Sequence, residues 1–533
     1  MRWRRGWTPL ILLALAIAWS WPAAWPQGLP GRWPDALGTA WFIDASPRLL
    51  SGLDDPLTGH PAGAHYGRPD SFVLLAVSAL LSWLPPVRVY GLVTVLGLTA
   101  SAWAAERLAA ELGARPPWSL LAGVGFAFCG LSSTALIEGY PYQVLDPWMP
   151  LMVIFWLRAL GPEARLRDGL LAALFFALTL LSSAWLGLSA GMVLGITGLW
   201  LGVPRARTLR GWAVGPGTAA IVAVAAVYAG LFLHAGAGVR EGGGVAPIAA
   251  QMRTILVQSA GPPLGVDVRG HGHNHGIGAA VPVLAVLSPV VLSRGRRWRA
   301  LLAVGLLSML ASLCPRIDPD ALATTVPGLP GALWGALAGS LLRFPARLGW
   351  AWALCGSAVA ALVLTTLARR SPRGAAWMLA AVLVDAFVVQ RMPMRQAETL
   401  ATAPSAYGAH EGPVLDVFPD SPGDDPQWRL WTTNLSCFYQ VRHHRPIADH
   451  CLFVAGAESP RVTRQRMLVD AALSGRVATA IEALRAERFG SVVLHLDHFP
   501  QADGARLRAA LTRVLGPPVE SRDGGEYVAA FGL

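Results

Sequence analysis

Two carboxylates, Asp35 and Asp44, follow the first long apolar run of the chain, nine positions apart. A carboxylate beside such a run can take a proton from an incoming hydroxyl. The same polar stretch carries His60, His65 and Arg68, a set suited to holding an acceptor or a pyrophosphate. Much later, Arg343 and Arg347 bracket Phe344-Pro345 at the start of another apolar run. Their planar, permanently charged forks match phosphate oxygens. Glu138 and Gln143 stand with Tyr140 and Tyr142 at the end of a further run, where ionisable groups point to function. His271 and His273 alternate with His275 in a Gly-rich stretch that reads as substrate contact or as a zinc ligand set. Cys437 and Cys451 flank His443, His444, Asp449 and His450. The cysteines pair if their compartment is oxidising; the histidines and aspartate between them offer a metal set instead.

The elements that must position these residues follow from composition. Of 533 residues, 14% are charged and 54% hydrophobic, and basic side chains outnumber acidic ones for a net charge of +11. A soluble chain of this size carries roughly 25% charged residues. That excludes an ordinary cytosolic enzyme, a disordered chain and a disulfide scaffold. The apolar residues arrive in long uncharged runs, such as 170–204, of the length that crosses a bilayer. The basic surplus is all arginine, clustered between those runs at 2–5, 107–115, 158–167, 205–210, 294–299 and 369–373. This is the positive-inside pattern rather than a nucleic-acid footprint, so no nucleic-acid partner is expected.

With all six clusters on the cytoplasmic side, the crossings are 7–25, 88–105, 118–136, 143–160, 169–187, 188–203, 212–234, 278–293, 299–314, 346–368 and 374–391. The first is basic-led like a signal peptide but lacks a small-x-small cleavage site, so it reads as an uncleaved span with a cytoplasmic N-terminus. Parity keeps 71–87 and 321–342 from crossing; the former reads as a re-entrant or interfacial segment. Three segments then face outward: 26–70, 235–277 and the tail from about 395 onward. The chain divides into a transmembrane module, 1–394, and a soluble tail, 395–533. In the tail, strand-like runs at 414–418, 492–496 and 527–531 interleave with helix-like runs at 461–473, 476–489 and 503–514. The fold class is therefore mainly α, a polytopic transmembrane helix bundle with a small C-terminal α/β domain.

Several stretches resemble bacterial polytopic proteins of the GT-C glycosyltransferase superfamily, including YfhO-like and related membrane proteins. Asp35-Ala-Leu-Gly-Thr-Ala-Trp41 is similar to the Asp-led motif opening the first outward loop. Tyr140-Pro-Tyr-Gln143 with Trp148-Met-Pro150, and Leu342-Arg-Phe-Pro-Ala-Arg347, resemble later family stretches. So do Tyr439-Gln440, His443-His444-Arg445-Pro446-Ile447 and Phe489-Gly490 in the tail. The sequence departs from the pattern at Pro34, at His444 and at Asp449-His450-Cys451.

The resemblance implies a bundle of GT-C type in a bacterial inner membrane, with the tail a periplasmic accessory domain. It implies transfer of a sugar from a polyprenyl-phosphate donor to an envelope glycan, lipid or protein. Asp35 would be the base, with Asp44 the other catalytic candidate. Arg343 and Arg347 would hold the phosphate. No cofactor is called for, and a divalent metal is left open. A flippase for lipid-linked glycans and a non-catalytic membrane scaffold are the rival expectations. The former would place polar residues mid-span, where this chain has few.

Overall fold

The computed structural model describes residues 7–21, 29, 35–52, 54–66, 71–202, 215, 217–227, 280–292, 295–312, 348–389, 403–420, 426–451, 460–523 and 526–533. The apolar runs form helices at Thr8–Ser20, Pro86–Leu112, Leu120–Ala127, Gly130–Ile137, Trp148–Ala159, Leu166–Ser182, Ala184–Gly202, Ala280–Val286, Arg296–Ser312, Gly349–Arg370 and Pro372–Val384. Among the described residues, Pro86–Leu112, Ala184–Leu201 and Gly349–Arg370 are long and apolar enough to cross a membrane. The 321–342 segment and the loop 235–277 lie outside the described residues.

Gly349–Arg370 is the hub of the bundle. It packs on Arg296–Ser312, Leu120–Ala127, Ala280–Val286 and Pro86–Leu112. A helix apolar all round must be buried all round, and this one is up to its last turn, where Arg369 and Arg370 are exposed. Small residues let the backbones approach. A Cβ on Gly123 would stand 2.6 Å from the Ala102 carbonyl oxygen. Pro86–Leu112 begins with a proline in its first turn and stops at Gly113, whose φ of 109° caps it in the left-handed region.

Several runs are not single helices; 278–293, for one, forms Ala280–Val286 and Ser288–Val291. The 118–136 run is split, because Phe128 and Cys129 leave the helical region and Leu120–Ala127 hands over to Gly130–Ile137. Its glycines weaken a continuous helix. The 71–87 run forms Phe72–Leu80, nine residues begun by Ser71, whose hydroxyl accepts the Leu74 N–H at 3.1 Å. Nine residues rise only about 14 Å, short of the ~30 Å hydrocarbon core.

At one end of the bundle lies a second layer. It holds the helix Asp35–Leu50 and a short hairpin of β1 (Asp54–Asp55) and β2 (Ala64–His65). The tail contributes a four-stranded sheet of β3 (Val414–Val417), β4 (Ser491–His495), β5 (Val519–Ser521) and β6 (Val528–Gly532), ordered β3-β4-β6-β5. β3 and β4 run parallel, while β6 is antiparallel to β4 and to β5. Side chains alternate across it with period two. Leu415, Val417, Val492, Leu494, Ala529 and Phe531 pack under the helices Pro460–Leu473, Val477–Ala486 and Gln501–Leu515. Val414, Val493, Val528 and Ala530 face the other way, into one core with Trp41, Tyr90, Leu435 and Phe438. The tail and the 35–66 segment thus share a core, which the helix Pro426–His443 bridges.

A disulfide joins Cys437 on that helix to Cys451, closing a 14-residue separation, with both cysteines buried. Loop-closure entropy for such a ring is worth about 3 kcal/mol. Cys437→Ala/Cys451→Ala is expected to lower the stability of the detergent-solubilised chain by that amount, read from its denaturant midpoint.

A second device is the ion pair of Arg461 with Asp449, both buried. Arg461 also donates to Gln465 Oε1 at 2.7 Å and Thr432 Oγ1 at 2.9 Å, and lies 5.1 Å over the Phe418 ring. Removing one partner strands a buried charge. Arg461→Met is therefore expected to cost about 3–5 kcal/mol, and Arg461→Met/Asp449→Asn clearly less. Thermal unfolding of the two variants measures the difference.

Candidate active site

Asp35 opens the helix Asp35–Leu50, where a carboxylate meets the positive end of the helix dipole. It accepts a hydrogen bond from the Tyr140 hydroxyl at 2.6 Å on Oδ2 and one from Asn434 Nδ2 at 3.3 Å on Oδ1. Three distant segments meet here: the helix start, the turn after Gly130–Ile137, and the tail helix Pro426–His443. Backbone contact fixes their spacing. Gly139 has φ +85°, and a Cβ there would lie 2.3 Å from the Ala36 nitrogen and 2.5 Å from the Asp35 carbonyl carbon. The Thr39 hydroxyl donates to the Gly139 carbonyl at 2.6 Å. On the tail side, a Cβ on Gly38 would stand 2.5 Å from Asn434 Oδ1. Tyr90 lines the same region, fully buried, with its hydroxyl donating to the Leu136 carbonyl at 3.2 Å. Asp35 is half-buried, and the Tyr140 and Asn434 side chains orient its carboxylate.

Asp44 belongs to another corner. Nine helical positions are two and a half turns, which puts it on the opposite face from Asp35, about 14 Å along the axis. It pairs with Arg48 at 3.4 Å, and Arg48 grips the buried Asp55 with two further bonds at 3.1 and 3.4 Å. Burial raises the Asp44 pKa, and the charges of Arg48 and His444 offset that in part.

The remaining sequence candidates are spread out. His60 bonds the Glu487 carbonyl through Nε2 at 2.9 Å and meets the Phe489 ring edge-on at 4.8 Å, so it serves the joint with the tail. Burial lowers its pKa. His65 pairs with Asp54 in the hairpin register. Glu138 directly precedes Gly139, and Gln143 is buried in the Pro141–Gln143 turn that follows Tyr140. Arg68, His271, His273, Arg343 and Arg347 lie outside the described residues.

Asn434 had no local signal; it reaches Asp35 across 399 positions. The sequence reading also missed a polar network on the inner face of the tail sheet. His495 Nδ1 contacts Glu526 Oε2 at 2.8 Å, and its Nε2 lies 3.3 Å from Asp416 Oδ1 and 3.1 Å from the Tyr407 hydroxyl. His498 Nε2 contacts Glu526 Oε1 at 2.8 Å. The hydroxyls of Tyr407 and Ser436 donate to Asp416. Burial alone would raise the Glu526 pKa, but the hydrogen bonds from His495 and His498 hold it well below the usual carboxylate range. Among the described residues, His495, His498 and Glu526 form the one His/Cys/Asp/Glu group whose ligand atoms converge. His443, His444, Asp449 and His450 do not converge. His443 stacks on Tyr407 with ring centroids 4.9 Å apart, and burial takes its pKa down to about 3.

No family model matches the chain, and no curated protein matches its sequence. Solved structures do share its shape. The cryo-EM structure of the arabinofuranosyltransferase AftD from Mycobacteria superposes with a TM-score of 0.57 at 15% identity, covering 100% of this chain and 40% of that one. The Archaeoglobus fulgidus oligosaccharyltransferase in complex with Zn and sulfate gives 0.49 at 13% identity, over 92% of this chain and 68% of that one. ArnT from Cupriavidus metallidurans bound to undecaprenyl phosphate gives 0.49 at 14% identity, over 98% of each chain. The likeness to AftD, with a TM-score above 0.5, bears on the fold alone: this chain shares the overall architecture of that part of AftD. It spans less than half the length of AftD.

Proposed function

We propose that the chain is an integral membrane glycosyltransferase that moves a sugar from a polyprenyl-phosphate-linked donor to an outward-facing envelope acceptor. The observation that carries this reading is the Asp35 corner. A half-buried carboxylate there is oriented by Tyr140 and Asn434 at one end of a GT-C-type bundle. In the reaction, Asp35 takes the proton of the acceptor hydroxyl or amide. The acceptor atom bonds the anomeric carbon as the bond from that carbon to the phosphate oxygen breaks, and polyprenyl phosphate leaves. Arg343 and Arg347 are our candidates for holding that phosphate, and Glu138 for a place near the acceptor.

The likeness to AftD supports the reading, since that protein is an arabinofuranosyltransferase. Asn434 comes from the tail, so we assign residues 395–533 a share in the site rather than a purely accessory role. The arginine clusters support a cytoplasmic N-terminus, and the disulfide supports a periplasmic tail in a bacterial inner membrane.

The test uses membranes expressing the chain, radiolabelled polyprenyl-phosphate sugars of several kinds and a crude envelope acceptor. Label entering the acceptor above the empty-vector level is the expected result. No incorporation with any donor contradicts the reading, and labelled lipid crossing the bilayer without transfer points to a flippase.

A further inference from the structure

We propose that His495, His498 and Glu526 bind one divalent transition-metal ion, with zinc the best match, at the mouth of the tail's polar network. The proposal stands apart from the glycosyltransferase reading. Two imidazoles and a carboxylate are a zinc ligand set with a fourth position open to water. The three ligand atoms already lie within 4.8 Å of one another. At bonds of about 2.0–2.1 Å, tetrahedral ligand atoms stand about 3.3 Å apart. The 2.8 Å contacts of His495 with Glu526 Oε2 and of His498 with Glu526 Oε1 would open by about half an ångström, while the widest ligand pair, within 4.8 Å, would draw in as the side chains turn toward the ion.

Rigid elements hold the set. His495 ends β4, and His498 ends the 3-10 turn Leu496–His498 that follows it directly. Glu526 stands two residues before Val528, the partner of His495 in the antiparallel β4–β6 register. The carboxylate of Asp497, between the two histidines, accepts the Tyr527 N–H at 2.7 Å and pins the segment that bears Glu526.

The surroundings are those of a metal-bound histidine. Such a histidine donates its second ring N–H to a carboxylate, which fixes the tautomer and raises its strength as a ligand. Here Nε2 of His495 faces Asp416, itself held by the Ser436 and Tyr407 hydroxyls, leaving Nδ1 for the ion. Phe418 stacks on His495 at 3.9 Å, and Trp431 meets His498 edge-on at 4.8 Å, making an apolar wall. His495 is buried, whereas the side chains of His498 and Glu526 are 20% and 11% exposed, which gives the ion a path in.

Purified full-length protein is stripped with chelator, titrated with zinc chloride, and its bound metal counted by elemental mass spectrometry. The wild type is expected to hold one zinc per chain at this site and to rise in Tm. His498→Gln and Glu526→Gln are expected to lose that zinc and its Tm rise, with affinity down at least ~100-fold. Asp416→Asn, one shell out, is expected to weaken zinc about 10–100-fold. His271→Gln/His273→Gln/His275→Gln keeps the zinc. Absence of stoichiometric zinc in the wild type, or its retention by both ligand variants, overturns the proposal. If the ligand variants fail to fold in chelator, X-ray absorption of the zinc-loaded wild type decides. Two imidazoles with oxygen support the site, and sulfur or a lack of imidazole overturns it.

Discussion

Asp35→Asn is expected to lower the rate of sugar transfer by about 10²–10⁴-fold, the usual worth of a general base. At 1.36 kcal/mol per tenfold, that is about 3–5 kcal/mol of barrier. The substitution keeps shape and volume and leaves the Gly139 and Thr39 contacts in place, so the helix Asp35–Leu50 stays where it is. What changes is chemical. An amide cannot take the acceptor proton, and its nitrogen cannot accept the Tyr140 hydroxyl. Stability should fall by no more than about 1 kcal/mol, the scale of a carboxylate at a helix N-terminus. Initial rates and a melting curve on the same preparation separate the two effects. Transfer that survives would move the base to Glu138, beside the same turn.

Gly139→Ala should be nearly as damaging without touching a reactive group. At φ +85° an alanine costs about 1–2 kcal/mol in backbone strain alone. Its methyl would also stand 2.3 Å from the Ala36 nitrogen, and backbone on both sides leaves no flexible side chain to yield. The turn and the helix start must separate. A shift of about 1 Å at a reacting group costs on the order of 10²-fold in rate. Transfer should therefore fall about 100-fold, with the helical bundle retained by circular dichroism and a Tm only a few degrees lower. Unchanged transfer in Gly139→Ala would show that Asp35 does not need this seat.

Much of the architecture was written in patterns that composition makes visible. Long uncharged runs became helices, and the strand-like runs at 414–418, 492–496 and 527–531 became three of the tail's strands. The helix Pro426–His443 was not legible. Thr432, Thr433, Phe438, Tyr439 and Val441 are poor helix formers, and packing into the shared core holds them there. The segment 26–70 reads as an outward stretch rich in Pro, Gly, Asp and His; the structure makes 35–50 one helix with Pro47 inside it, which sends Asp44 to the far face. Asp35 could be singled out by type and place, but Tyr140 and Asn434 join it from 105 and 399 positions away, which no local period encodes. The same holds for Glu526: His495 and His498 are neighbours in sequence, and the β4–β6 register alone brings the carboxylate to them.

The measurement closest to the central claim is photocrosslinking with a polyprenyl phosphate whose first isoprene unit carries the reactive group, followed by peptide mapping. A donor bound for reaction at Asp35 should label the peptides that carry Asp35, Tyr140 and Asn434, and unlabelled polyprenyl phosphate should compete that label away. Label confined to the outer flanks of the bundle, or label at the Asp35 corner that unlabelled lipid does not displace, would contradict the account.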